Sequence, residues 1–386
     1  MNKEARAETD EKFMSLACSL AIRGRGRTNP NPMVGAVLVR RGRVFGKGYH
    51  MSPGSPHAEV VAIECATADP KGATLYVNLE PCAHHGRTPP CVDLILAKKI
   101  HRVVIGTKDT NPLVNGRSIA ILRRKGVQVT CGVLEEKCRR LNEAFFKIVE
   151  TGKPFVTLKA AVTLDGKIAS SSGRSQWISC PASRKRVHRL RSRADAILVG
   201  IGTVLEDDPQ LTVRGIPGAR NPCRVVMDSS LRIPLTARVL KPGAETLVAT
   251  THRAPKRKVA ALAEKGVGVE FFAPNRTGRV PLGPLLRRLG KRGVQNVLVE
   301  GGSELYTTAL ETNEADKLVM FIAPLLLGGN EAPGLFGGKG LASPAKGRIV
   351  HSLQWRRSDR DLMLEAYLSV PKVGTKNGAS GTGRKR

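Results

Sequence analysis

Aromatic residues are scarce: Trp, Tyr and Phe together make up 4% of the 386 residues. Proteins that grip single-stranded nucleic acid stack bases on aromatics set among basic residues. The basic runs here lack such aromatics. Long apolar runs are absent too. Nothing approaches the ~20 consecutive apolar residues a spanning helix needs, which excludes a helical membrane protein. The N-terminal MNKEARAETDEKF mixes both charges around no apolar core, so it is no secretory signal, and the chain is expected to stay in the cytoplasm. There, eight cysteines read as thiols or metal ligands rather than bridges. Acidic residues are also few, 32 against 63 basic ones, for a net charge of +31. That excess is not a confined stripe. Residues 1–150 carry 24 basic and 14 acidic residues, and residues 151–386 carry 39 and 18. No specific nucleic-acid partner is therefore expected, although a positive field would steer anionic substrates.

What is present is a globular balance, 41% hydrophobic and 25% charged. At ~100–200 residues per domain the length predicts two domains. Apolar runs alternate with helical spacing through both halves, which predicts two α/β domains. In the first, strands are expected at 33–39, 73–80 and 101–107, with helices at 58–66 and 91–99. One long helix over 134–154 should end at Gly152 and Pro154, placing the boundary near 150. The second domain, 151–370, restarts the pattern. Strands are expected at 154–162, 196–200, 223–228, 245–250, 296–300 and 317–328, with helices at 183–194 and 303–311. The basic, Gly- and Ser-rich tail 371–386 is expected to be disordered.

The most specific chemical signal lies between residues 57 and 91. His57 opens a predicted helix, Glu59 follows two residues later, Pro81-Cys82 follows a predicted strand, and Cys91 comes nine positions on. One imidazole and two thiolates leave the fourth tetrahedral position of a zinc ion open, as in a catalytic site. Zinc can lower the pKa of bound water to about 7. Glu59 is near enough to take that proton and pass it to a leaving amine, the arrangement of zinc deaminases. His84 or His85 could instead complete a closed structural site; the favoured expectation puts both at the pocket or its rim. Cys18, Cys65, Cys131, Cys138, Cys180 and Cys223 have no ligand spacing and are expected to be buried small hydrophobes.

Locally the second half is less telling. Gly200 and Gly202 follow a strand, but Leu205 stands where a dinucleotide fingerprint needs its third glycine, so a Rossmann domain is not supported. In VLVEGGSELYTTAL a strand ends at Glu300 and a helix starts near Ser303. The Gly301-Gly302 turn between them is either a pyrophosphate cradle or a plain tight turn.

The stretch Pro81-Cys82-Ala-His-His-Gly-Arg-Thr-Pro-Pro-Cys91, with Asn31 in TNPNPMVGAV, His50 in GKGYH and the loop TNPLVNGR (110–117), resembles the deaminase half of bifunctional riboflavin-biosynthesis enzymes, the RibD family. Thr110 stands where that family usually has proline. LKAAVTLDGKIA (158–169), SQWIS (175–179), ILVGIGTVLEDDPQLTVR (197–214) and VLVEGG (297–302) resemble its reductase half, over roughly residues 12–370 in all.

The resemblance implies a cytidine-deaminase-like three-layer α/β/α domain followed by a dihydrofolate-reductase-like α/β domain. It implies Zn2+ held by His57, Cys82 and Cys91, with Glu59 catalytic and Asn31 and His50 on the substrate side. It implies NADPH contacts at Ala161, Trp177, Thr203, Asp207, Ser229 and Gly301-Gly302-Ser303. Substrate contacts are implied at Ser175, Arg191, Leu211, Arg214 and Glu300, the arginines suiting a ribose phosphate. Lys159 and Asp165 fall in the matching motif with their roles open. The implied substrate is a phosphoribosylated pyrimidine, and the chain is expected to form a homo-oligomer. The alternative is a tRNA or nucleoside zinc deaminase with an unrelated C-terminal domain.

Overall fold

The computed structural model describes residues 3–84, 89–111 and 114–369. The tail 371–386, His85 and part of the 110–117 loop lie outside them, as do the expectations attached to those residues. The chain divides into two compact units, one of residues 1–24 and 32–143, the other of 25–31 and 144–369. Among the described residues no helix is long and apolar enough to cross a membrane.

In the first unit the strands are β1 (Gly35–Arg40), β2 (Arg43–Tyr49), β3 (Thr74–Leu79), β4 (Arg102–Thr107) and β5 (Gln128–Cys131). They form one sheet in the order β2-β1-β3-β4-β5. β1 runs antiparallel to β2 and β3, whereas β3, β4 and β5 are parallel. Strand alternation decides which helix packs where, because successive side chains point to opposite faces. Leu38, Leu75, Val77, Val103 and Ile105 face α2 (Ala58–Glu64), α3 (Cys91–Ala97) and α4 (Arg117–Arg124). The intervening Val37, Val39, Tyr76 and Val104 meet α1 (Lys3–Ala21) and Cys138 of α5 (Glu135–Leu141). The result is the expected three-layer α/β/α domain.

The predicted single helix over 134–154 is two, α5 and α6 (Glu143–Thr151), separated at Asn142. The Asn142 side chain brackets one residue, accepting the Met33 N–H at 2.8 Å and donating to the Met33 carbonyl at 2.9 Å. Holding that bracket turns the chain out of helical register, and the two compact units divide between Glu143 and Ala144.

The second unit is built on β6 (Phe155–Thr163), β7 (Ala196–Gly200), β8 (Cys223–Met227), β9 (Thr246–Thr250), β10 (Gly268–Phe271), β11 (Asn296–Val299), β12 (Lys317–Ala323), β13 (His351–Ser358) and β14 (Asp361–Tyr367). Their order is β10-β9-β8-β7-β11-β6-β12-β14-β13, parallel through β12 and antiparallel beyond it. On one face α10 (Leu282–Lys291) and α11 (Ser303–Glu311) bury leucines against alternate residues of β6. On the other, α8 (Ile201–Asp207) and α9 (Lys256–Glu264) cover Ile197, Val199 and Val226. α7 (Pro181–Arg191) packs Val187 against Val319 and Phe321. The strand predicted over 317–328 stops at Ala323, because Pro324 has no N–H to donate. Residues 325–328 form a loop pinned by Asp165, whose carboxylate accepts the Gly328 N–H at 2.7 Å.

Candidate active sites

Two sites emerge, one in each unit. In the first, the ends of α2 and α3 bring three donors together. His57 precedes the first residue of α2, and Cys91 is the first residue of α3. Cys82 lies on the segment leaving β3, and its sulfur accepts the Cys91 N–H at 3.2 Å. Its carbonyl accepts the Val92 N–H at 3.3 Å. Amides at a helix start favour a thiolate. α2 can reach this position because β2 presents glycine beneath it: a Cβ on Gly48 would lie 2.2 Å from the Ala58 carbonyl oxygen.

His57 Nδ1 is 3.2 Å from Cys91 Sγ and 3.5 Å from Cys82 Sγ, and the three donor atoms lie within 4.8 Å of one another. Bond lengths of about 2.3 Å to sulfur and about 2.05 Å to nitrogen put tetrahedral N···S edges near ~3.6 Å, so the set fits zinc. His84 is not in this group, and its Nδ1 is buried without a hydrogen-bond partner among the described residues. Hydrogen bonding from Cys91, then from His57, holds the Cys82 thiol down to about 4. The same contact with Cys82, together with burial, pushes Cys91 up. Binding of a dication requires both thiols in the deprotonated form. Glu59 is 3% exposed, and burial, then the charge of Cys82, raises its carboxyl to about 7.

His50 packs edge-on against His57, ring centres 5.6 Å apart, with its Nδ1 3.2 Å from the Pro56 carbonyl oxygen. Asn31, expected on the substrate side of this centre, lies in the segment 25–31 that groups with the second unit. Sequence reasoning passed over two buried carboxylates here. Glu80 accepts hydrogen bonds from the Gly116 N–H (2.9 Å), the Ser118 hydroxyl (2.6 Å) and the Asp109 N–H (3.3 Å). Asp109 is raised to about 6 by burial and then by Glu80. Glu80 precedes Pro81-Cys82 directly, which was the available signal. Of the six cysteines expected to be buried, Cys65 is exposed and Cys131 and Cys223 are half-buried. Cys65 follows the last residue of α2, where the helix has no further layer over it.

The second site is a cleft of about 1600 Å³ along the ends of the parallel strands. It gathers the residues singled out in the second half: Ala161, Trp177, Thr203, Asp207, Ser229 and Gly301-Gly302-Ser303, with Ser175, Arg191, Leu211, Arg214 and Glu300. At its centre Arg191 grips Glu300 with two bonds, 2.6 Å and 2.9 Å, and Lys159 approaches the same carboxylate at 3.4 Å. Burial alone would raise Glu300; Arg191, then Lys159, overcome it and hold the group near about 2. Trp177 is 66% exposed, its ring stacked by the Arg184 guanidinium at 4.5 Å. Asp207 ends α8 and accepts the Ser175 hydroxyl at 2.6 Å.

The Gly301-Gly302 turn fits a phosphate cradle. No side chain caps α11. Gly301 has φ +133°, which favours glycine, and a Cβ there would sit 3.1 Å from Thr203 Oγ1. The bare backbone leaves the opening amides of α11 at the cleft. Asp165, by contrast, is a loop fastener: the Thr163 hydroxyl, then the Gly328 amide, hold it to about 2.

Residues 154–363 match the RibD C-terminal domain family, and residues 7–107 match the cytidine and deoxycytidylate deaminase zinc-binding region. The riboflavin biosynthesis protein RibD of Aquifex aeolicus is 46% identical over 322 residues, 83% of this chain and 88% of the relative. That of Escherichia coli is 40% identical over 338 residues, 84% and 90% of the two chains. A Thermotoga maritima diaminohydroxyphosphoribosylaminopyrimidine deaminase/5-amino-6-(5-phosphoribosylamino)uracil reductase superposes with a TM-score of 0.81 at 39% identity, covering 94% of this chain and 99% of its own. Acinetobacter baumannii RibD does so at 0.83 and 36%, with the same coverage.

Proposed function

The chain belongs to the RibD family of bifunctional riboflavin-biosynthesis enzymes, and from that premise we propose that it performs two consecutive steps on one phosphoribosylated pyrimidine. In the first, 2,5-diamino-6-(5-phosphoribosylamino)pyrimidin-4-one loses its 2-amino group as ammonia. In the second, 5-amino-6-(5-phosphoribosylamino)uracil is reduced to 5-amino-6-(5-phosphoribitylamino)uracil. The match of residues 154–363 removes the alternative of a nucleic-acid deaminase with an unrelated second half. The observation that carries the proposal is the pairing on one chain of a three-donor centre beside a buried Glu59 with a cleft built around Arg191 and Glu300.

His57, Cys82 and Cys91 would hold the metal, and zinc, when bound, supplies a water whose pKa falls to about 7. Glu59, raised toward neutrality by burial, would accept a proton from the attacking water and return one to the departing amine. His50 is assigned to the pyrimidine. NADPH, when bound, supplies the hydride for the second step. Gly301-Gly302-Ser303 and Thr203 would hold its pyrophosphate; Ala161, Trp177, Asp207 and Ser229 would flank the rest. Ser175, Leu211 and Glu300 position the opened ribose so that its C1 is saturated. Arg214 meets the substrate phosphate, and Arg191 holds Glu300 in place beside the ribose. Thiolate ligands and a reduced pyridine nucleotide both suit a reducing cytoplasm.

A coupled assay following ammonia release and NADPH consumption tests the proposal on the intermediate itself. Inosine formation in tRNA without turnover of the intermediate would overturn it. Arg214→Ala should raise KM for the ribosyl substrate about 10–100-fold, the worth of a charge-assisted bond, with NADPH affinity unchanged. Equal loss of both would reassign Arg214.

The homo-oligomer is also proposed. β13 ends the strand order and exposes Leu353 (57%) and Trp355 (68%), an apolar edge of the kind proteins cover. Sedimentation equilibrium should show an oligomer that Trp355→Glu dissociates; a monomeric parent chain would refute this.

A further inference from the structure

The loop that carries Arg214 is fixed at three successive residues, each by a different side chain. The Thr212 carbonyl accepts the Arg191 guanidinium at 3.0 Å. The Val213 N–H is donated to Asn221 Oδ1 at 2.8 Å. The Arg214 N–H is donated to His188 Nδ1 at 3.2 Å. Just upstream, Leu211 is buried, with its backbone in the left-handed region at φ +51°. The Arg214 side chain itself is left exposed at the cleft.

These anchors are not equivalent. An amide and a guanidinium keep their charge state at every physiological pH, whereas an imidazole does not. His188 is half-buried one turn before Arg191 on α7, and both line the cleft with Arg214. A ring that accepts on Nδ1 is neutral and carries its proton on Nε2. Burial, then the charges of Arg191 and Arg214, hold the His188 pKa below its ordinary value, while Glu300 and the Thr212 carbonyl pull the other way. The charged groups of this end of the cleft also include Arg184 from α7 and Lys159 from β6.

We infer that His188 is a positioning residue for the reduction step: its neutral imidazole holds the Arg214 backbone where the Arg214 guanidinium meets the substrate phosphate. The inference rests on the proposed assignment of Arg214 to that phosphate. A protonated ring would turn a hydrogen on Nδ1 toward the Arg214 N–H, and the anchor would be lost. Two roles for this histidine are therefore opposite in sign. As a positioning residue it weakens substrate binding when it takes up a proton. As a bare positive charge beside a phosphate it would strengthen binding.

Steady-state reduction of 5-amino-6-(5-phosphoribosylamino)uracil by the full chain, followed between about pH 5 and 8, tests this, with NADPH binding by calorimetry as the report of folding. His188→Leu removes the acceptor and should raise KM for the ribosyl substrate about 3–10-fold, the worth of one hydrogen bond, with kcat and NADPH affinity within about twofold. His188→Asn offers a neutral Oδ1 near the place of Nδ1 and should keep the parent KM near neutral pH. In an Arg214→Ala background, His188→Leu should add nothing, because its effect passes through Arg214. As pH falls below ~6.5, the parent's KM should climb more steeply than that of His188→Asn. The substrate phosphate titrates near ~6 with both proteins and cancels in the ratio. A ratio that is flat or runs the other way, or a His188→Asn that loses as much as His188→Leu, would overturn the role of His188. Should His188→Leu fail to fold, that ratio decides alone. An Arg214→Ala chain that keeps the parent KM would overturn the phosphate assignment and this inference with it, and a parent chain that binds no NADPH would sink the reading of the cleft as a reductase site.

Discussion

Replacing Glu59 with glutamine is expected to lower deamination by ~10²–10⁴-fold, the range a positioned acid–base group contributes. Reduction of pre-deaminated substrate should continue at the parent rate, and metal analysis should still find one zinc per chain. The amide is nearly isosteric with the carboxyl and fills the same buried space, so the centre of His57, Cys82 and Cys91 is not disturbed. What is lost is a group able to carry a proton in both directions. The two domains make the outcome decisive. If reduction also disappeared in a folded, zinc-loaded protein, the two-site account would be wrong.

Arg191→Ala is expected to remove reduction and to destabilise the second domain by ~3–5 kcal/mol, the cost of leaving one member of a buried ion pair alone. The Glu300 carboxylate it grips is 4% exposed, and Lys159 at 3.4 Å cannot replace a two-bonded guanidinium. Arg191→Lys should rescue little, because a point charge lacks the fork. The pH dependence carries a sign. Glu300 is held near about 2 in the folded chain, below the ~4.3 of a free glutamate. Its pairing therefore stabilises above about 4.3 and is lost as pH falls toward 2. Removing Arg191 should flatten that acid limb. Both tryptophans, Trp177 and Trp355, lie in the second unit, so their fluorescence in urea melts reports that unit alone. An unchanged melt across this pH range would refute the assignment.

Legibility in the sequence followed how local the physics is. His57, Glu59, Cys82 and Cys91 could be read because metal chemistry needs fixed residue types at near-fixed spacing. The buried strands could be read because apolar runs of strand length leave few other choices. The pairing of Arg191 had no such mark, since its partner Glu300 is 109 residues away and pairing at that range leaves no local signal. The exposure of Trp177 was unreadable for the same reason: whether a ring faces solvent is settled by elements distant in sequence. Glu80 and Asp109 went unread because acids that brace a loop have no motif of their own. The break at Asn142 was hidden in a helical stretch, its cause being a bracket around Met33. Edge strands such as β13 were missed because a strand with one solvent face has a weaker apolar signature.

The bare stretch of β2 under α2 gives Gly48 an influence out of proportion to its lack of a side chain. Any larger residue there meets the Ala58 carbonyl at 2.2 Å, and Ala58 follows His57 directly. A substitution at Gly48 would shift His57 without touching any of the three gathered donors, and in a survey of inactivating mutations it would score with them. Tolerance to mutation in this domain is thus set partly by a missing methyl group on the far side of a helix.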